Sequence, residues 1–318
     1  MNILKIKNLN LSFKSNDTLY QALYNINLEL KKGEMLAIVG ESGCGKTITA
    51  MSILQLLSQN AVITSGEILY KEKNLLSYTI NEMEKIRGKE IALIPQDPMT
   101  SLNPLYTIGS QLLEVIEIHQ GLKGKEAEER AIEVLNKVKI ANAKERLKAY
   151  PHEFSGGMKQ RVIIAMAIAC NSKIIIADEP TTALDVTVQA QIMELLKEIQ
   201  KELNTSFIFI SHDFGLVSEI ADKVAVMYAG HVVEQADSIE IFKNPKHPYT
   251  QALLKSLPNF NTTKLSPIEG QPPSIKDCFE GCVFEPRCTK KMEICKKEPQ
   301  KTHLIKNHEV SCWLYKNN

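Results

Sequence analysis

Met35-Leu36-Ala37-Ile38-Val39-Gly40-Glu41-Ser42-Gly43-Cys44-Gly45-Lys46-Thr47 is the stretch on which the reading of this chain turns. It begins as a short apolar run, breaks at Gly40 and leads into Thr47 to Leu57, whose apolar residues recur at helical spacing. A strand, a glycine-rich turn and a helix in that order, with G-x-x-x-x-G-K-S/T at the centre, make a phosphate-binding loop. The glycines let backbone N–H groups wrap phosphate oxygens, and the helix N-terminus adds a favourable dipole. Lys46 is expected to reach the β- and γ-phosphates of a nucleotide and the Thr47 hydroxyl to ligate Mg²⁺. Gly40, Glu41, Ser42, Gly43, Cys44, Gly45 and Thr49 complete the expected nucleotide contacts on this loop and its helix.

Outward from the loop, residues 1 to about 98 read as strands and turns around one helix. From about 100 to 170 the texture becomes helical: Ile108 to Ile118, Glu126 to Val138 and Gln160 to Cys170 are amphipathic at helical period. Sheet-like segments resume at Ile174 to Ala177, Phe207 to Ile210 and Lys223 to Tyr228, with a helix near Val188 to Leu203. Alternating strands and helices imply a largely parallel, helix-covered sheet. The strand Ile174-Ile175-Ile176-Ala177 ends in paired acids. Asp178 suits a magnesium shell, and Glu179 can polarise an attacking water.

Composition excludes several classes. The 44% apolar and 24% charged fractions are those of a globular chain, which argues against disorder and coiled coil. A formal net charge of +1 is not the footprint of a nucleic-acid binder, so no nucleic-acid partner is expected. No stretch approaches the roughly 20 apolar residues that cross a bilayer, and Met1 to Lys7 alternates like a strand, unlike a signal peptide. The chain is expected in the cytosol, reaching a membrane only through partners.

Ser155-Gly156-Gly157-Met158-Lys159-Gln160-Arg161 opens the third helix of the insert. S-G-G-x-x-Q-R resembles the signature of ABC ATPases, with Phe154 where that family commonly has leucine. Backbone N–H groups, Ser155 and the helix dipole would form a second anion site. The resemblance implies that Ser155, Gly156, Gly157 and Gln160 face the γ-phosphate held by a partner subunit. It also implies that Gln96 is the Q-loop residue, near γ-phosphate and Mg²⁺. Ala183-Leu184-Asp185 would be the D-loop and His212 the switch histidine. Glu179, His212, Gln96 and Lys46 are thus the expected catalytic set. Phe13 and Tyr20 both precede the phosphate loop at distances suited to stacking on adenine; Phe13 is preferred, and either could equally be a core residue.

Beyond about Asp237, eight of the chain's 13 prolines make long helices improbable past His247 to Leu257. His247-Pro248-Tyr249-Thr250-Gln251-Ala252-Leu253-Leu254 and Gly281-Cys282-Val283-Phe284-Glu285-Pro286-Arg287-Cys288 look like the C-terminal extension of oligopeptide and dipeptide permease ATPases, which nickel and glutathione importers share. Cys282, Cys288, Cys295 and Cys312, spaced C-x5-C-x6-C-x16-C, can hold a [4Fe–4S] cluster or zinc, or be unliganded core cysteines. The spacing lacks the C-x2-C pairs of zinc ribbons, and a cluster is what the resemblance implies; Cys278 is an alternative ligand or a bystander.

The expected fold is therefore α/β: a P-loop NTPase core of the ABC ATPase type over residues 1–236, a helical subdomain inserted at about 100–170, and a small cysteine-containing extension over 237–318. The resemblance implies an ATP- and Mg²⁺-using subunit of an importer of di- or oligopeptides, peripheral on the cytoplasmic face of the membrane. Its implied partners are a second ABC ATPase, two transmembrane permease subunits and an external solute-binding protein. Nickel or another small solute is the alternative cargo, and a soluble ABC ATPase outside transport the remote alternative.

Overall fold

A computed structural model describes residues 1–182, 184–256, 268–277 and 279–316. Ala183, Leu257 and Cys278, each part of an expectation above, lie outside the described residues. The chain divides into two compact units, Met1–Ser77 with Ser211–Asn318, and Tyr78–Ile210.

The first unit opens with two 14-residue strands, Asn2–Ser15 and Thr18–Lys31, paired antiparallel. Their alternation buries Leu4, Ile6, Leu9, Leu11, Leu23, Ile26 and Leu28 on one side. Asn16 takes the left-handed conformation, φ 52°, in the two-residue turn that the right-handed strand twist favours. Ala61–Tyr70 and the short Lys73–Asn74 complete this sheet. In the same unit Met35–Val39 runs parallel to Lys223–Tyr228. All five residues of Met35–Val39 are buried, as a strand covered on both faces must be.

Lys223–Tyr228 is followed by His231–Asp237, antiparallel to it. His231–Asp237 in turn pairs with His308–Ser311, and that strand with Thr302–Ile305. The tail thus extends the core's own sheet. The contact division groups it with the first 77 residues. Glu234, 1% exposed, ties it down: its carboxylate pairs with His308 Nε2 at 2.6 Å and accepts the backbone N–H groups of Lys246 and His247.

The second unit holds three parallel strands in the order Ile91–Ile94, Ile174–Asp178, Ser206–Ser211. Helices Ile108–Gln120, Gly124–Lys137 and Gly156–Ala169 pack on one another, through faces that include Leu112, Ile116, Ala127, Ala131, Val134, Val162 and Ile164. Val186–Leu203 follows. The segment before about 98 contains more than the one helix expected. Ile80–Ile86 is helical, opened by a capping box in which Thr79 accepts from Glu82 N–H and Glu82 accepts from Thr79 N–H. Thr79-Ile80-Asn81-Glu82 carries that signal in plain sequence.

Candidate functional site: a phosphate loop, paired acids and a second helix N-terminus

The phosphate loop joins Met35–Val39 to helix Lys46–Leu54. Its glycines answer to space as well as torsion. A Cβ on Gly40 (φ 152°) would stand 2.2 Å from the Met227 carbonyl oxygen, and one on Gly45 (φ 106°) would stand 2.7 Å from Leu23. Lys46 is 5% exposed, and its Nζ donates to the carbonyls of Gly40 at 2.9 Å and Glu41 at 3.0 Å. Ser42, Gly43 and Thr47 are exposed. Cys44 is buried, which raises its thiol pKa.

Thr49 sits differently from the expectation of a nucleotide contact. It is fully buried, and its hydroxyl donates to the Gly45 carbonyl at 2.9 Å, one turn back. It shapes the first turn of the helix from inside. Phe13 and Tyr20, the two aromatic candidates, are directly opposed across the first hairpin, and opposed residues project on the same face. They form one half-buried patch, and Lys276 Nζ stands 6.0 Å over the Tyr20 ring. His212 is exposed at the end of Ser206–Ser211, and Asp213 after it caps helix Phe214–Ile220.

The second unit assembles the acids. Asp178, 2% exposed, ends Ile174–Asp178, and Glu179 follows in the left-handed region, φ 46°. That region is sparsely populated by residues other than glycine, and such strain stands at about 1–3 kcal/mol. Glu179 N–H is anchored on the Ile210 carbonyl at 3.0 Å. Its carboxylate accepts from Gln96 Nε2 and from Thr182 Oγ1, each at 3.1 Å. Gln96, exposed just after Ile91–Ile94, is thus brought onto the acid that the sequence places 83 residues downstream. Thr182 was not singled out from the sequence.

Ser155 caps helix Gly156–Ala169 by accepting from Met158 N–H at 3.3 Å, with the Phe154 ring buried just before it. Gly157 has a packing role too: a Cβ there would stand 2.6 Å from Val188. Asp185 is committed to capping, accepting from Val188 N–H at 3.0 Å at the start of Val186–Leu203. Gln160 is fully buried in the helix, and its side-chain amide has no hydrogen-bond partner among the described residues. Its side chain is turned into the packing, unlike the exposed Ser155. The stations divide between units: the phosphate loop and His212 in the first, Gln96, Ser155, Asp178, Glu179 and Asp185 in the second.

In the tail, Cys295 and Cys312 are buried and Cys282 and Cys288 half-buried. Gly281 lets the chain close tightly there, with Cys282 N–H on the Cys295 carbonyl at 2.7 Å. Burial, and then the neighbouring thiols, push Cys282 up to about 12 and Cys312 up to about 11. Among the described residues no three His, Cys, Asp or Glu side chains stand as a group able to hold a metal ion. The zinc reading gains no support, since Zn–S bonds of about 2.3 Å need thiolates in close mutual contact.

The profile described as "ABC transporter" matches residues 23–182. This chain belongs to the ABC transporter family. The profile described as "Oligopeptide/dipeptide transporter, C-terminal region" matches residues 233–295 of the same ABC chain. It is 48% identical over 316 residues to the dipeptide transport ATP-binding protein DppD of Bacillus subtilis (strain 168), covering 98% of this chain and 94% of that one. It is 47% identical to the oligopeptide transport ATP-binding protein OppD of the same organism, covering 98% and 88%. Among solved structures it resembles a dimeric ATP-binding cassette in a post-hydrolysis state bound to ADP and Pi, at TM-score 0.66 and 30% identity, covering 74% of this chain and 98% of that one. A protein of Clostridium perfringens described as part of an ABC transporter complex aligns at TM-score 0.67 and 31% identity, covering 76% and 91%. The chain is an ATP-hydrolysing cassette of this family. Among the described residues no helix is long and apolar enough to cross a membrane.

Proposed function

We propose that this ABC ATPase powers uptake of di- or oligopeptides, working as one of a pair of ATPases on two permease subunits, with an external solute-binding protein delivering the cargo. The observation that carries the reading is a complete set of ATPase residues on the same chain as the oligopeptide/dipeptide-type C-terminal region. Lys46 binds the β- and γ-phosphates, and Phe13, with Tyr20 beside it, offers the face on which adenine stacks. Thr47, Asp178 and Gln96 would hold Mg²⁺ through the hard oxygen donors it prefers, and Mg²⁺ when bound neutralises phosphate charge. Glu179 orients and polarises the attacking water, and His212 contacts the γ-phosphate. The exposed Ser155 and the helix start behind it face the nucleotide of the partner ATPase, so that ATP closes the pair and hydrolysis reopens it. The chain then sits peripherally on the cytoplasmic face of the membrane.

The test offers labelled di-, tri- and pentapeptides and nickel to cells lacking this chain and complemented with it. Restored peptide uptake is the expected result. Restored nickel uptake alone would replace the cargo, and restoration of neither would remove the import claim.

A second reading concerns Cys282, Cys288, Cys295 and Cys312. Cys282, Cys288, Cys295 and Cys312 are thiol donors of the type that would hold a [4Fe–4S] cluster. Raised thiol pKa values at Cys282, Cys288 and Cys312 mean that metal would have to displace their protons. A cluster here would clamp the lobe. Anaerobically purified protein is expected to carry iron and visible charge-transfer absorption; protein without either would end this reading.

A further inference from the structure

Glu41, the first residue after Gly40 in the phosphate loop, is held from two sides by residues more than 200 positions away. Its backbone N–H donates to the Tyr249 hydroxyl at 3.0 Å. Its carboxylate makes a bidentate pair with Arg287, Nη1 to Oε2 at 2.7 Å and Nη2 to Oε1 at 3.0 Å. Arg287 is itself fixed at every nitrogen. Nε donates to the Glu269 carbonyl at 3.0 Å, Nη1 also reaches the Tyr228 hydroxyl at 3.4 Å, and the guanidinium lies 5.7 Å over the Tyr228 ring. Its side chain is 5% exposed. Tyr249, Tyr228 and Phe284 pack as an aromatic cluster beneath the pair, with centroids 4.6 to 5.3 Å apart.

A surface ion pair contributes little, but a sheltered, two-pronged pair between a planar guanidinium and a carboxylate fixes geometry. What it fixes here is the loop. The Glu41 carbonyl accepts from Lys46 Nζ and from Cys44 N–H, so the residue held by Arg287 through its side chain and by Tyr249 through its N–H is the one on whose carbonyl the phosphate-binding lysine and the loop's own turn rest. All of these residues lie within the first unit.

We propose that Arg287 and Tyr249 are positioning residues for ATP, and that the C-terminal lobe sets the shape of the phosphate loop through Glu41. The tail is then part of the nucleotide site without touching nucleotide. Preorganisation is the mechanism: a loop held in its binding shape does not have to be ordered by the ligand.

The test is equilibrium binding of a fluorescent ATP analogue, mant-ATP with Mg²⁺, to the full chain. It uses Glu41→Ala, Arg287→Ala, their double variant, Arg287→Lys and Tyr249→Phe. Each single Ala variant is expected to weaken binding on the order of tenfold, and the double no further than either single, because the two side chains act as one unit. Arg287→Lys keeps the charge but loses the fork and restores binding only in part. Lys290→Ala serves as the control: Lys290 Nζ bonds Gln251 Oε1 at 2.9 Å in the same lobe without touching the loop, and its loss leaves mant-ATP affinity unchanged. Folding is followed by circular dichroism and melting temperature, so a loss of stability without a loss of affinity counts against the proposal. A folded Arg287→Ala variant binding within about twofold of wild type would overturn it, as would additive losses in the double variant. Should Arg287→Ala not fold, Tyr249→Phe decides alone: it removes one hydroxyl, and unchanged affinity there overturns the proposal equally.

Discussion

Glu179 occupies a backbone conformation that a glutamate adopts only under constraint, with φ 46°. Its N–H is pinned to Ile210 and its carboxylate receives Gln96 and Thr182. Strain of this kind persists where surroundings over-determine it, as at a group that must be aimed. A water-polarising carboxylate must also be kept from swinging toward the phosphates it would repel. Thr182→Val removes one hydrogen bond to this carboxylate while keeping size and branching. It is expected to lower kcat roughly tenfold, the equivalent of one hydrogen bond to a charged group, while KM for ATP stays within about twofold. Steady-state hydrolysis by the assembled transporter checks this; an unchanged kcat would mean that Thr182 does not aim the acid. The strand end is legible in Ile174-Ile175-Ile176-Ala177-Asp178-Glu179, an apolar run that closes on two acids. Thr182 is not, because a threonine in a turn carries no pattern. Gln160, in the same motif as the exposed Ser155, is turned inward by helical phase.

At the scale of elements, helix Pro248–Lys255 is opened by His247, whose Nδ1 accepts from Tyr249 N–H at 3.1 Å. A ring nitrogen accepts only when unprotonated. Burial holds His247 down to about 4, against the opposing pull of Glu234. The sign follows from proton counts. Between the unfolded value near 6.5 and about 4, the unfolded chain binds a proton that the folded chain refuses, so stability falls as pH falls through that window. The loss approaches about 3 kcal/mol at the acid end. Denaturant titrations from pH 7.5 to 4.5 are expected to show it, and His247→Asn, which can still cap, is expected to flatten it. An equal slope in the variant would assign the acid sensitivity elsewhere. The helix was readable from its Pro-led start. Its cap is not legible, since histidine is an uncommon cap, whereas Thr79-Ile80-Asn81-Glu82 carries an explicit capping box.

At the scale of the molecule, order along the chain was the strongest signal. Phosphate loop, Gln96, Ser155 to Arg161, Asp178-Glu179 and His212 fall in one sequence, the order that the resemblance to ABC ATPases implies. What order could not supply is contact across long separations. Nothing in the sequence pairs Glu41 with Arg287, 246 positions on, or makes His308–Ser311 an edge neighbour of His231–Asp237. Spacing shows the tail as an appendage. The strand pairing and the ion pair make it part of the unit that carries the phosphate loop.

ATP-driven accumulation of a labelled peptide in membrane vesicles bearing the assembled transporter, with wild type or Glu179→Gln as the ATPase, tests the central claim most directly. Wild type is expected to accumulate peptide. Glu179→Gln is expected to bind ATP as a closed pair and accumulate none, its turnover lowered by at least about a hundredfold, as loss of a general base requires. Accumulation by Glu179→Gln at the wild-type rate would contradict the account.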